Sequence, residues 1–165
     1  YHSRLLQSVV DVNNDQKKVI VEKVIGRFGE ELSGRTFAVW GLAFKPDTDD
    51  MRESAAISII DRLTRAGAKV KAYDPKAVEE AKGFYLKDNA GVSYCDSKYE
   101  ALKDSDALIL ITEWKEFRSP DFYEIKKLLR TPVIFDGRNQ YEPRNVKKYG
   151  LDYYQIGVRP VLQEK

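Results

Sequence analysis

Cysteine, histidine and long apolar stretches are scarce in this sequence, and each scarcity excludes something. Among 165 residues there is one cysteine, Cys95, and one histidine, His2. An intrachain disulfide is therefore impossible, and no metal-ligand cluster accompanies either residue. Cys95 reads as core filling and the terminal His2 as incidental. The longest clean apolar run, Ala107 to Ile111, is much too short to span a bilayer, and no signal-peptide pattern opens the chain. Charge of one sign is also missing. The formal net charge is +2, with acids and bases mixed along the chain, so the clustered basic footprint of a nucleic-acid binder is absent. The expectation is a cytoplasmic protein, with neither membrane nor nucleic acid as partner. Tyr1 leads straight into helical periodicity without a cap, so the chain reads as starting inside a larger protein.

What is present alternates. From Leu5 to Phe28 apolar residues recur at helical spacing over roughly six turns. Glu30 to Arg35, with Ser33-Gly34, is the exit from that helix. Strand-like runs then follow at Thr36–Ala43, Lys69–Tyr73, Gly91–Tyr94, Ala107–Thr112, Val133–Asp136 and Asp152–Ile156. Helical stretches at Glu53–Ala66, Ala77–Lys82, Tyr99–Lys103, Asp121–Arg130 and Arg144–Tyr149 separate them, with Gly67 stopping the first. Strands divided by helices imply right-handed crossovers. The fold class is α/β: a Rossmann-like, doubly wound, mostly parallel sheet preceded by a long α-helix.

The centre of the chain is the stretch Val39 to Ser54, read as strand, tight loop and helix N-terminus. Asp50 followed by Glu53 has the form of a capping box. In open parallel sheets a ligand lies beyond the carboxyl ends of the strands, where strand order reverses. With the first strand central, that crevice receives Phe44-Lys45-Pro46, Glu113-Trp114-Lys115 and Gly137-Arg138. Two cations suit a diphosphate, and two aromatics suit a flat base or a sugar. The classical dinucleotide fingerprint is missing, because Gly41 stands alone in the first turn. Asp49 and Asp50 put further negative charge at the helix start, so phosphate contact falls to side chains, Lys45 first.

Plainer readings stand beside these. Lys45 can be an ordinary loop lysine and Arg138 a turn residue. Trp114 and Phe117 can simply cover the sheet edge. Arg52, ill-placed for the helix dipole, can pair with Asp49 or reach outward to something this chain lacks. Asp74-Pro75 reads as a turn, with a ribose contact as the minor alternative.

The same stretch carries a resemblance. Gly41-Leu42-Ala43-Phe44-Lys45-Pro46-x-Thr48-Asp49-Asp50-x-Arg52-Glu53-Ser54 resembles the signature of the C-terminal domain of the UDP-glucose/GDP-mannose dehydrogenase family. Similar segments continue through Ala72 to Pro75, Thr112 to Arg118 and Phe135 to Arg138. The resemblance implies residues 1–32, with Val12-Asn13-x-x-Gln16, as the distal part of a central dimerisation helix. It implies 33–165 as a UDP-sugar-binding domain and a homodimer through that helix. It further implies that Phe44, Lys45 and Arg138 contact the UDP-sugar and that Arg52 reaches NAD held by another domain. Thr112-Glu113-Trp114-x-Glu116-Phe117 is most similar to the UDP-glucose branch, with GDP-mannose and UDP-N-acetylmannosamine branches as alternatives. The family nucleophile lies in G-G-x-C-F-P-K-D, which Val92-Ser93-Tyr94-Cys95-Asp96-Ser97 does not match. By resemblance this chain therefore holds no catalytic residue, whereas the parent is an NAD-dependent enzyme oxidising UDP-glucose. A non-catalytic flavodoxin-like module dimerising through the long helix is the rival from another class. A self-sufficient dehydrogenase is disfavoured by the missing glycine fingerprint.

Overall fold

Thr36–Trp40 forms the central strand β1, and four of its five residues are buried. Burial on both faces is what a parallel strand covered by helices requires. The computed structural model describes residues 4–164, and His2 lies outside them. Around β1 stand β2 (Lys69–Tyr73), β3 (Val92–Tyr94), β4 (Ala107–Leu110), β5 (Val133–Asp136) and β6 (Asp152–Gln155). The strand order is β3-β2-β1-β4-β5-β6, and every pairing between these strands is parallel. The expected sheet, mostly parallel, is wholly so among the named strands. An antiparallel bridge from Tyr153 to Val161 lays the C-terminal tail along the β6 edge.

The helices are α1 (Arg4–Phe28), α2 (Ala55–Arg65), α3 (Val78–Glu80), α4 (Lys98–Leu102), α5 (Phe122–Leu128) and α6 (Pro143–Lys148). Helix α3 runs on into a π-helical turn, Ala81–Tyr85. Only the distal half of α1 is embedded: Ile20, Val21 and Val24 are buried, whereas Val9 and Val12 are exposed. Helix α1 packs beside α2 and over β5, and its Phe28 ring meets Phe37 edge-on at 5.5 Å. Elsewhere in the core, Trp40 stacks on Phe117 at 5.1 Å. Phe117 is fully buried and Trp114 nearly so.

The expected capping box is not formed. Helix α2 starts four residues later than the acid spacing suggests, and its N-cap is Ser54 rather than Asp50, with Ser54 Oγ accepting from Ala56 N. That hydroxyl also donates to Leu42 O at 2.7 Å. A tertiary bond back to the end of β1 thus fixes the helix start, and Glu53 is left outside at φ 60°. Its carboxylate turns instead to Lys17 on α1, 2.9 Å away. Asp50 caps only a tight turn, accepting from Arg52 N at 2.9 Å.

Candidate functional site at the strand ends

The register aligns Tyr73, Trp40, Leu110, Asp136 and Gln155 across the sheet, so five strands end on one level row. Strand order reverses between β1 and β4, and the loops leaving these two strands border the crevice. Gly41 opens the β1 loop at φ +94°, and a Cβ there would stand 2.5 Å from the Thr112 Cβ. Only glycine fits. Thr112, leaving β4, donates its hydroxyl to Ala43 O at 2.6 Å and ties the two loops together.

Two buried carboxylates organise the loops. Asp74, at the end of β2, accepts through Oδ2 from Leu42 N (2.7 Å), Ala43 N (3.0 Å) and Trp114 Nε1 (3.0 Å). Its Oδ1 accepts from Lys76 N and Ala77 N, at 2.9 and 2.8 Å. The ribose reading of Asp74 has no free oxygen to use. The first-turn amides that would cradle a dinucleotide pyrophosphate are instead occupied by this internal anion. The same bond draws the Trp114 ring inward, so Trp114 covers the sheet, as its plainer reading had it, and leaves Phe44 as the exposed aromatic.

Asp136, at the end of β5, accepts from Arg138 N (2.8 Å), Gln140 N (2.7 Å) and the Tyr153 hydroxyl (2.6 Å). Burial first, then the Asp136 charge, holds the Tyr153 and Tyr141 phenols far above the usual range. Both therefore remain donors at any physiological pH. No sequence signal singled out Tyr153, because its bond to Asp136 joins two strands through a non-local contact.

Arg138 is the side chain the crevice is built around. Its Nε donates to Ile111 O at 2.6 Å and its Nη2 to Phe44 O at 3.4 Å, so one guanidinium spans the β4 and β1 loops. Glu113 Oε2 lies 2.9 Å from the same Nε. The N–H points to Ile111, so this contact is ionic, and among the described residues the carboxylate oxygen has no hydrogen-bond donor. The guanidinium has more N–H donors than these bonds use, and the side chain is 36% exposed.

Beside it opens a cavity of about 540 Å³ between α1 and the strand ends, lined by Phe44, Arg138, Leu110 and Ile111 and by Asn13 and Gln16 of α1. A larger groove of about 870 Å³ lies between α2 and residues 84–91, and the Lys17–Glu53 pair lines both. The structure thus brings Phe44 and Arg138 together. Lys45 is exposed, next to Phe44 in the loop, and is not among the residues lining the 540 Å³ cavity. Arg52 stands apart, 80% exposed and paired with Asp50 at 2.7 Å rather than with Asp49. That pairing holds the Asp50 carboxyl down at about 2, with a smaller contribution from Lys45. Backbone strain gathers in these loops, with Asp47, Glu53 and Asn139 at positive φ, as at ligand clamps elsewhere. Asn139 is held by a reciprocal amide pair with Ile156 at the end of β6. Among the described residues no cluster of three or more histidine, cysteine or acidic groups could hold a metal ion.

An all-parallel sheet with this strand order, a cationic clamp at its switch point and an adjacent cavity defines a Rossmann-like ligand-binding domain. The chain belongs to the UDP-glucose/GDP-mannose dehydrogenase family, whose UDP binding domain matches residues 38–143. It is similar to a UDP-glucose 6-dehydrogenase of Rhizobium meliloti, 43% identical over 93% of this chain and 34% of that protein. A UDP-glucose 6-dehydrogenase of Pseudomonas aeruginosa is 42% identical over 95% of this chain and 35% of its own length. Among solved structures, a UDP-glucose dehydrogenase from Pyrobaculum islandicum superposes with a TM-score of 0.73 at 30% identity, covering 90% of this chain and 31% of that one. The chain spans about a third of the length of these curated relatives, at 34% and 35%.

Proposed function

We propose that this chain is the nucleotide-sugar-binding portion of an NAD-dependent UDP-glucose 6-dehydrogenase. Residues 1–32 are the distal part of a central dimerisation helix, and residues 33–165 are the domain that holds UDP-glucose. The observation that carries the reading is Arg138, fixed between the Ile111 and Phe44 carbonyls at the sheet's switch point with donors to spare. Lys45, on the same loop as Phe44, supplies the second cation for the diphosphate. The exposed Phe44 ring offers the ligand an apolar face.

NAD does not fit this domain in the classical manner, because Asp74 already occupies the Leu42 and Ala43 amides. Arg52 is instead an exposed guanidinium on a tight turn, paired only with Asp50 among the described residues, and is suited to meet a cofactor held by another part of the parent enzyme. Exposed Val9 and Val12 on the projecting half of α1 suit a homodimer through that helix. The parent is cytoplasmic; among the described residues no helix is long and apolar enough to cross a membrane.

Calorimetric titration with UDP tests the reading. The unmodified chain binds UDP, and Arg138→Ala and Lys45→Ala each weaken binding at least about tenfold, the loss of a charge-assisted contact. Unchanged affinity in both variants overturns the assignment.

A further inference from the structure

Helix α1 presents one inward face along its length. Val24 and Ile20 on that face are buried against the sheet. Helical spacing places Lys17, Gln16 and Asn13 on the same side, one and two turns nearer the N-terminus. All three line the 540 Å³ cavity together with Arg138. The stripe therefore changes from aliphatic to polar where it leaves the sheet and begins to border the cavity: Lys17 is neutralised by Glu53 at 2.9 Å, and the two amides lie beside and beyond it. The opposite, solvated side of the helix is different in kind. It carries Asp11, Asp15, Lys18 and Glu22, all exposed, with Lys18 and Asp15 paired at 2.7 Å.

Neither amide side chain is hydrogen-bonded to another described residue, whereas Gln7 on the same helix bonds Asp11 at 3.0 Å. Two neutral amides, each offering donors and an acceptor, stand about 5–6 Å apart at their Cβ atoms, as i and i+3 do on any helix. Across the cavity they face the aliphatic walls of Ile59, Leu110, Ile111 and Ile156. Uncharged hydrogen-bonding groups over apolar walls suit a neutral polar ring and not a phosphate. Arg138 supplies the anion contact at the same cavity.

We propose that Asn13 and Gln16 hydrogen-bond the uncharged ring of the nucleotide sugar, base or hexose, whose diphosphate Arg138 holds. This rests on the nucleotide-sugar reading above. It makes the long helix a wall of the binding site as well as a support.

The test is titration of the full chain and of N13A/Q16A with UDP-glucose, UDP and inorganic pyrophosphate. Both positions are exposed, and alanine is a good helix former, so circular dichroism and melting stay unchanged. The double variant binds UDP-glucose about tenfold more weakly, the loss of two neutral hydrogen bonds, and binds pyrophosphate as before. A parallel loss for UDP places the base against the helix; a loss confined to UDP-glucose places the hexose there. Undiminished affinity for both nucleotides overturns the proposal, as does an equal loss for pyrophosphate. If the unmodified chain binds none of the three probes, the nucleotide-sugar reading itself falls, and the role of the amides with it.

Discussion

Replacing Asp74 by asparagine keeps the shape of the side chain and removes one acceptor and the charge. The carboxylate receives three N–H groups on one oxygen and two on the other. Whichever way the new amide turns, its NH2 faces at least two of these donors, either Lys76 and Ala77 or the trio Leu42, Ala43 and Trp114, and those donors are then stranded at a residue only 3% exposed. Hydrogen bonds to a charged group contribute ~1.5–3 kcal/mol each, so losing two costs about 3–6 kcal/mol. Against a typical total of ~5–15 kcal/mol, that is a large share. At roughly 2–4 °C per kcal/mol for a chain of this size, Tm falls by about 6–24 °C. Urea unfolding and calorimetry on the two proteins give the comparison, with the m-value unchanged if the native state is otherwise intact. A stability within about 0.5 kcal/mol of the original would contradict the view that Asp74 holds the β1 and β4 loops, since changes that small are ordinary at neutral surface sites.

Gly41→Ala combines a left-handed backbone with a Cβ 2.6 Å from the Thr112 amide; it lowers stability by at least about 2 kcal/mol, measurable by urea titration. Alkali should unfold the protein. Burial first, then Glu116, raises the Tyr73 pKa from 10.0 to about 12, and Tyr141 and Tyr153 are raised further by burial and Asp136. A raised folded-state pKa contributes stability that is complete below pH 10 and is lost as pH climbs from there through 12. The part of the tyrosinate absorbance rise that Tyr73→Phe, Tyr141→Phe and Tyr153→Phe remove should then coincide with unfolding; ionisation of these three near pH 10 in the folded protein would refute this. At the acid end, Arg52→Ala returns the Asp50 pKa from about 2 toward 3.8. The Asp50–Arg52 turn is accordingly fully favoured above 3.8 and weakens as pH falls to about 2, which carboxyl carbon NMR reads directly.

Much of the architecture was legible because parallel strands are short, apolar and bounded by turn residues. Lys69–Tyr73 and Val133–Asp136 stand where alternation and turn signals put them. The start of α2 was misread because an Asp and a Glu three apart look like a local cap, while the decisive bond, Ser54 to Leu42 O, spans twelve positions. The π-helical turn at Ala81–Tyr85 has no counterpart in any periodicity rule applied to the chain. At the crevice, Arg138 could be placed from a strand followed by Gly137 alone. The orientation of Trp114 could not, because it is set by a carboxylate forty positions away. In the sequence Asn13 and Gln16 read only as helix residues, because the cavity they border is closed by Leu110, Ile111 and Arg138, about a hundred positions or more away.

The central claim is that the crevice between β1 and β4 takes the diphosphate of a nucleotide sugar. A crystal structure of the chain with UDP tests it most directly. The account predicts the diphosphate oxygens within hydrogen-bond reach of Arg138 and of the Lys45 ammonium, with the rest of the ligand in the cavity beside Phe44. UDP bound in the larger groove near Arg65 and Lys87, with Arg138 still closed on Ile111 and Glu113 alone, would contradict it.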